Sequence, residues 1–179
     1  RLLPVALASL RRIITTLTMN DARAPLAAAS PGWRLVHTKP RQEAVALENL
    51  ERQGFECYLP RLLVEKVVRR KLALVQEPLF PRYLFTRPGP QATRGFAPVN
   101  STLGVTRIVR FGHDLARVPE ALVEALRQQE ANRQGQPVER FQRGDAVTLS
   151  AGAFAGLEAV YQMTDGEARA LVLIELLGR

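Results

Sequence analysis

The order of apolar and polar positions predicts a small α+β domain between residues 33 and 132. Some segments alternate apolar and polar side chains, which is typical of half-buried strands, and others repeat apolar residues at helical spacing. The basic stretch Arg69 to Lys71 separates two β-branched segments and predicts a hairpin. The predicted strands are 33–38, 55–59, 62–68, 72–76, 79–86 and 105–111, and the predicted helices are 41–53 and 119–132.

The order of these elements is strand, helix, strand, hairpin, strand, loop, strand and helix. We therefore expect an α/β sandwich in which helices pack against a mainly antiparallel sheet. Pro81 predicts a bulge or an edge within the strand 79–86, because proline donates no hydrogen bond to a neighbouring strand. The stretch 88–98 is rich in Gly and Pro and predicts a loop.

The two ends of the chain differ from this central domain. Residues 1–30 mix apolar residues with Arg11 and Arg12 and then become rich in Ala and Pro. We expect a disordered segment, or an upstream extension of a protein that starts at Met19. A signal peptide is the alternative, although the two arginines interrupt its apolar stretch. The predicted organisation is a terminal segment 1–30, a domain 31–127, a polar linker 128–142 and a small C-terminal module 143–179.

The pattern of the C-terminal module fits two kinds of secondary structure. Short alternating segments between glycines are typical of a small β-barrel. Phe154 and Leu157 nevertheless recur at helical spacing, and residues 167–177 contain strong helix formers. The turn 164–166 serves a β-hairpin or a helical hairpin equally well. From the pattern alone, both structures stay open.

The composition is that of a globular protein, with 46% hydrophobic and 23% charged residues in 179. The longest apolar runs are far below the roughly 18 residues that a membrane span needs, so we expect no membrane partner and a cytoplasmic location. The single cysteine, Cys57, excludes an internal disulfide and a cysteine-based zinc site, and it fits a reducing compartment.

The net charge of +8 is unevenly distributed along the chain. Residues 31–127 carry 16 basic and nine acidic side chains, whereas residues 128–179 carry five basic and seven acidic ones. The basic central domain is a candidate for binding nucleic acid or another polyanion. A merely solvated basic surface is the alternative, and charge alone does not decide between them.

Motifs for catalysis are missing from the sequence. It contains no Gly-rich phosphate-binding loop, no HExxH and no GxSxG, and its two histidines, His37 and His113, are far apart. The acidic residues are scattered singly, and Cys57 falls in an alternating strand pattern that favours a buried thiol. We therefore predict that the protein is not an enzyme and has no catalytic residue, no metal site and no cofactor.

Two stretches resemble one known family. Residues 77–85 read EPLFPRYLF, and residues 143–157 read RGDAVTLSAGAFAGL, followed by DGEAR at 165–169. The first resembles the signature of the NusG N-terminal domain and the second resembles a KOW motif. Together with VRFG at 109–112, the sequences of these stretches are most similar to the RfaH branch, which contains the specialised antitermination paralogues of the NusG family. The resemblance covers residues 33–177.

This resemblance implies a mechanism. The N-terminal domain would bridge the DNA cleft of RNA polymerase and grip the clamp helices through an apolar patch, which lowers pausing and termination. In the RfaH branch, recruitment also needs a pause element on the non-template DNA strand. The KOW module would first cover the polymerase site as an α-helical hairpin, then refold into a β-barrel that contacts a small-subunit ribosomal protein. We expect a monomer.

The resemblance also assigns residues to three sites. The polymerase-binding residues would be His37, Phe80, Pro81, Tyr83 and Phe85, since large aromatics are favoured anchors at interfaces; ordinary core packing is the alternative. The DNA-binding residues would be Lys39, Arg41, Gln42, Asn49, Arg52, Asn100 and Thr102, in which cations address phosphates and amides or hydroxyls address bases. The interdomain residues would be Glu77 and Arg169, as an ion pair that holds the closed state, with Phe154 and Leu157.

The sequence departs from the RfaH pattern at several positions. Val45 and Leu103 replace arginines, Asn49 replaces a histidine, and residues 93–98 replace the Thr-rich loop that meets the polymerase gate loop. The chain ends at Arg179, short of the last barrel strand of the family.

Two other functions stay open. One is a general NusG factor with a free KOW domain that recruits the termination factor Rho, and the other is a KOW-type ribosome-binding or RNA-binding protein. The DGEAR stretch favours the RfaH branch over the first, and EPLFPRYLF argues against the second.

Overall fold

The computed structural model describes residues 32–133, 160, 163 and 165–178, which form an α+β fold with antiparallel sheets. This confirms the predicted class. The strands are β1 (Arg34–Thr38), β2 (Phe55–Tyr58), β3 (Arg61–Val68), β4 (Lys71–Pro78), β5 (Tyr83–Pro88), β6 (Val105–Ile108), β7 (Arg110–Phe111) and β8 (Asp114–Leu115). The helices are α1 (Glu43–Arg52), α2 (Glu120–Arg133) and α3 (Gly166–Leu177), and Val99–Ser101 form a 3₁₀ turn.

A four-stranded sheet in the order β2-β5-β1-β6 forms the centre of the fold, and each neighbouring pair is antiparallel. The remaining strands form two separate ribbons, β3–β4 and β7–β8. In the central pair, Leu35 lies opposite Phe85, and the next pair along the strands is Val36 and Leu84. Because successive side chains of a strand point to opposite faces, these pairs divide the apolar residues between the two faces of the sheet.

Each face of the sheet carries its own apolar cluster. On the face of Leu35 and Phe85, the first cluster joins the sheet to α2, to α3 and to the base of the β3–β4 hairpin. On the face of Val36 and Leu84, the second cluster joins the sheet to α1 through Ala46 and Leu50. The helical period of α1 therefore buries one stripe of the helix and leaves the other side in water.

A charged and aromatic network fastens α2 to the sheet. Trp33 is fully buried, and the guanidinium carbons of Arg87 and Arg127 lie 4.7 and 5.3 Å from its ring centroid. Glu56 accepts hydrogen bonds from both arginines, and Glu120 of α2 accepts two more from Arg87. Cation–π contacts and ion pairs that share partners stabilise one another more than isolated surface pairs do.

The strand predicted at 79–86 begins later than the alternation suggests. In the structure β5 starts at Tyr83, because Pro81 and Arg82 form a turn in which Arg82 has φ 67° and the Tyr83 amide donates to the Phe80 carbonyl. The turn changes the register. Phe80 therefore lies on the same side as Phe85, edge-on to it, with ring centroids 6.3 Å apart.

The predicted strand 105–111 is divided in two at Val109. The Val109 amide still bonds to β1, where it donates to the Leu35 carbonyl at 2.8 Å, and the chain then continues as the β7–β8 ribbon. The predictions for residues 1–30, for linker residues 134–142 and for 143–159 lie outside the described residues. Within the described part of the chain, no helix is long and apolar enough to cross a membrane.

Substitution of Leu50 tests how much the second cluster contributes to stability. It is fully buried between α1 and the sheet, so Leu50→Ala should lower the free energy of unfolding by about 2–5 kcal/mol through lost burial and a residual cavity. Val45→Ala, on the exposed side of the same helix, should change it by less than about 0.5 kcal/mol. Urea unfolding of both variants measures this, and equal losses would contradict the described orientation of α1.

Candidate functional site

The residues predicted to contact polymerase lie together on the first-cluster side of the sheet. Phe80 and Phe85 are buried in that cluster, whereas Pro81 and Tyr83 are half-buried at its border. Tyr83 pairs with His37 across β5 and β1, and their rings lie 4.9 Å apart. The five residues thus form a continuous aromatic face that runs from the core to the surface.

Helix α3 covers the buried part of this face. Its N-terminus is capped by Asp165, whose carboxylate accepts from the Glu167 amide at 2.9 Å. Residues on one side of the helix pack into the first cluster, and Leu171 on the other side is 61% exposed. The packed residues are Val172, Leu173 and Leu176, with Ile174 and Leu177 partly buried beside them.

Two glycines show how closely α3 approaches the domain at both ends. A Cβ added at Gly166 would lie 2.6 Å from Cγ of Pro81, which is too close for a real side chain. A Cβ at Gly178 would lie 3.0 Å from a ring carbon of Phe111. The helix therefore runs across the aromatic face from the Pro81 turn to β7, and Gly166 permits the contact at its first residue.

Arg169 is the buried cation of α3, with 4% of its surface exposed. Its guanidinium donates to the Leu79 carbonyl at 2.6 Å and to the Met163 carbonyl. Burial lowers the pKa of Arg169, and the charges of Glu77 and Asp165 act in the opposite direction. The group stays charged at neutral pH because arginine is a very weak acid. The Arg169–Leu79 hydrogen bond links the segment that precedes the Pro81 turn to α3.

Glu77 and Arg169, the two residues of the predicted ion pair, each have another partner among the described residues. Among the described residues, the Glu77 carboxylate forms its ion pair with Lys66 on the neighbouring strand of the hairpin. The negative charge of Glu77 acts to raise the pKa of Arg169, against the larger effect of burial. Phe154 and Leu157, the other predicted interdomain residues, lie outside the described residues. The assignment of these four residues to an interdomain contact stays a prediction.

The residues predicted to bind DNA lie on the opposite side of the sheet, around α1. Lys39 and Arg41 are exposed just before the helix, Gln42 is its N-cap residue, and Arg52 forms an ion pair with Glu48 one turn earlier. The loop that carries Thr102 lies against α1, because a Cβ at Gly104 would meet the Ala46 amide at 2.7 Å. The fold therefore brings the two predicted DNA-binding segments side by side.

Several of these polar side chains already hold the loop and the helix in place. Asn49 donates to the Val45 carbonyl, and Asn100 accepts from the Ile108 amide at 2.8 Å. Thr102 is buried, and its hydroxyl donates to Pro98 and accepts from Gln53. Lys39, Arg41 and Arg52 are the exposed cations among the predicted DNA-binding residues, and Arg52 is paired with Glu48. The predicted roles in DNA binding stay predictions.

The structure adds three residues that the sequence pattern did not single out. Gln53 joins α1 to the Thr102 loop, while Arg82 and Arg107 flank His37. Arg107 lies directly opposite His37 in the β1–β6 register. No local signal reveals these contacts, because each one depends on strand register or on a loop that packs against a distant helix.

Cys57 is a structural thiol in this fold. It lies in β2, with its sulfur 3.3 Å from the Thr86 hydroxyl. Burial raises the pKa of Cys57 to about 12, so the thiol is not ionised at neutral pH and is a weak nucleophile. Within the described ranges, no group of three or more His, Cys, Asp or Glu side chains could hold a metal ion.

An aromatic face on one side of an antiparallel sheet, and exposed cations just before a helix on the other side, are typical of a binding protein. A comparison with protein families assigns the chain to one of them. The family model described as transcription termination factor NusG matches residues 31–127, which is more than half of the 179 residues, and the chain belongs to the NusG family. It is a NusG-type transcription factor of the elongation and termination machinery. Members of this family bind RNA polymerase, and the family is not one of enzymes.

Substitution of Arg169 tests whether its hydrogen bonds anchor α3 to the domain. Arg169→Met keeps an apolar stem but removes the donors, which leaves the Leu79 and Met163 carbonyls unpaired at a cost of about 1–3 kcal/mol. We expect amides of Gly166–Leu177 to exchange with deuterium about tenfold faster or more. Leu171→Ala, on the exposed side of α3, should leave that exchange nearly unchanged. Equal exchange in Arg169→Met and the wild type would contradict the anchoring role.

The pKa of His37 tests the electrostatics of the aromatic face. Burial, then the charges of Arg82 and Arg107, lower the pKa of His37 from its ordinary 6.5. As the pH falls below 6.5, the unfolded chain takes up the proton first, so the folded state loses stability until the pH passes the folded pKa. NMR titration should give a midpoint below 6.5, and Arg107→Gln should raise it. An unchanged midpoint in Arg107→Gln would contradict the described contact.

Proposed function

We propose that the chain is an antitermination factor of the RfaH type, which binds RNA polymerase through the aromatic face and is closed until it is recruited. The observation that carries the proposal is the position of α3. This helix packs into the cluster that contains Phe80, and Arg169 donates to the Leu79 carbonyl of the EPLFPRYLF segment. A partner that binds the same face has to displace α3 first, because two partners cannot bury one set of side chains.

In this proposal the clamp helices of the polymerase take the place of α3. Pro81, Tyr83 and His37 at the border of the face are partly accessible, so they would form the first contacts. Phe80 would become an anchor after α3 leaves, since aromatic side chains in desolvated pockets dominate binding energies. Phe85 is fully buried at the centre of the sheet, so it would pack against Phe80 without contacting the polymerase.

The opposite side of the sheet would bind the non-template DNA strand. Lys39 and Arg41 supply exposed positive charge at the start of α1, and such charge favours phosphates. Val45 and Leu103 are exposed apolar residues on the same side, at 37% and 63%. They would contact bases of a single strand by apolar packing, where the RfaH pattern has arginines.

Residues 143–179 would act as a KOW module with two packings. While covering the polymerase site, the module includes helix α3; after release it would refold into a β-barrel and contact a small-subunit ribosomal protein. The support lies in the sequence of 167–177, whose pattern fits strands as well as the helix described here. Two packings of one sequence need to differ by only a few kcal/mol for such a change.

The test displaces α3 from the aromatic face without changing any residue of that face. Gly166→Val places side-chain atoms against Pro81 and should loosen α3, while the new side chain leaves the face together with the helix. Binding to an RNA polymerase elongation complex should become at least about tenfold tighter, a gain of roughly 1.4 kcal/mol. Readthrough of a terminator in single-round transcription should rise in parallel.

Leu171→Ala is the matched control, since it changes α3 on its exposed side and should bind like the wild type. If Gly166→Val speeds deuterium exchange of α3 but binds no more tightly, the module does not mask the site, and a general NusG factor with a free KOW domain is the better description. If neither protein binds the elongation complex, the chain does not use RNA polymerase as its partner.

A further inference from the structure

Two exposed arginines border the aromatic face on the side of His37. Arg107 lies directly opposite His37 in the pairing of β1 with β6, so both side chains are on the same side of the sheet. Arg82 immediately precedes Tyr83, whose ring lies 4.9 Å from the ring of His37. Burial lowers the pKa of His37, and the charges of both arginines lower it further, so both guanidinium groups are near the imidazole. We call Arg82 and Arg107 the cationic border.

Neither side chain of the cationic border has a partner among the described residues. Both arginines are exposed, and neither guanidinium forms an ion pair or a hydrogen bond in the part of the chain that the structure describes. Two cations that flank the same imidazole repel it and each other. An anionic group that binds beside them would therefore gain electrostatic energy from both.

The backbone of Arg82 indicates that its side chain does not serve the turn. Its φ is 67°, in the left-handed region that favours Gly or Asn and strains other residues. Two backbone hydrogen bonds hold it there, since its amide donates to the buried Glu43 carboxylate at 2.9 Å and its carbonyl accepts from the Thr38 amide at 2.8 Å. A strained residue that the surrounding fold holds in place at a binding surface points to a role in binding.

Helix α3 covers the aromatic face but makes no ion pair with the cationic border. Its acidic residues Glu167 and Glu175 are exposed, and neither of them pairs with Arg82 or Arg107. The helix is held by apolar packing and by the hydrogen bonds of Arg169 instead. The closed packing therefore uses the apolar part of the face and leaves its positive charge free.

A partner that replaces α3 needs a contact that α3 does not make. Because α3 belongs to the same chain, its effective concentration at the face is high, and a partner that offers only the same apolar contacts competes poorly. Carboxylates that pair with the cationic border would add binding energy that is absent from the closed packing. They would also discriminate against apolar helices that lack acidic residues at that position.

We propose that the cationic border determines specificity in the polymerase contact, by pairing with carboxylates on the helical protein surface that replaces α3. The inference rests on the proposed function, in which RNA polymerase binds the aromatic face. Guanidinium groups bind carboxylates through two parallel hydrogen bonds, which fixes the position of the partner as well as its charge. The face favours a helix over a nucleic acid as its occupant, because the cover that it has in this structure is an apolar helix.

The test removes both charges from a chain in which α3 is loosened. Arg82→Asn with Arg107→Gln is introduced into the full chain that carries Gly166→Val, and binding to RNA polymerase free of nucleic acid is measured. Because Asn is tolerated at positive φ, the melting temperature should hold or rise. Affinity should fall about tenfold at roughly 50 mM salt and less than about threefold at roughly 300 mM, since salt screens charge pairs at the border of an interface.

A matched control removes two charges elsewhere on the domain. Arg70→Asn with Arg117→Gln replaces one exposed arginine at a φ of 64° and one further exposed arginine. This control should bind within about twofold of the Gly166→Val parent at both salt concentrations. An equal loss in the control, or parental affinity in the border variant, would overturn the inference.

A charge-retaining variant separates recognition from a structural role. Arg82→Lys with Arg107→Lys keeps both positive charges and should recover affinity to within about threefold of the parent, with the salt dependence of the parent. If it binds as weakly as Arg82→Asn with Arg107→Gln, while both variants melt like the parent, the charge of the border is not what the polymerase recognises.

The elongation complex distinguishes a protein contact from a nucleic-acid contact. If the border variant loses affinity for the elongation complex but binds polymerase free of nucleic acid like the parent, the two arginines contact DNA or RNA, and the assignment to carboxylates is wrong. If the Gly166→Val parent binds neither form of the polymerase, the proposed function itself fails and the inference fails with it. A parent that binds, with a border variant that binds equally well, refutes the inference alone.

Discussion

The fold depends on covering the apolar face that β1 and β5 present on the side of Leu35 and Phe85. A sheet with one bare apolar face is unstable in water, because the burial of that face supplies much of the free energy that holds the strands together. Here two helices share the task. α2 covers the end of the face near Trp33, and α3 covers the end near Phe80. The binding properties of the protein follow from how each helix is held.

Both helices bury apolar side chains in the first cluster, and they differ in their polar contacts. α2 is fixed by Arg87, Arg127 and Glu56, which join ion pairs to cation–π contacts around Trp33. α3 is fixed by apolar packing and by a single buried cation, Arg169, which bonds to backbone carbonyls. Apolar packing is not directional, so another apolar surface can replace α3 without new polar partners, whereas replacing α2 would break a charged network. In the proposed function, α3 is therefore the cover that RNA polymerase would replace.

Sequence reasoning located the segments that depend on local pattern. The aromatic segment at 79–85 and the cations just before α1 stand out along the chain, and their roles in binding stay predictions. The pattern failed where distance in the chain matters. Thr102 is buried because its loop packs on α1, and Glu77 pairs with Lys66, which lies on the partner strand of the hairpin but not directly opposite it. Neither outcome is encoded in a window of a few residues.

The sequence by itself determined the α+β class, helices α1 and α2, and the β3–β4 hairpin with its basic tip, because periodicity and turn residues act over short distances. Only the tertiary structure decided the state of residues 166–177. Their pattern suits a strand or a helix, and the described helix is selected by contacts with residues about 90 positions earlier, such as the hydrogen bond from Arg169 to Leu79. A segment whose local preference is balanced takes its structure from the surface against which it packs.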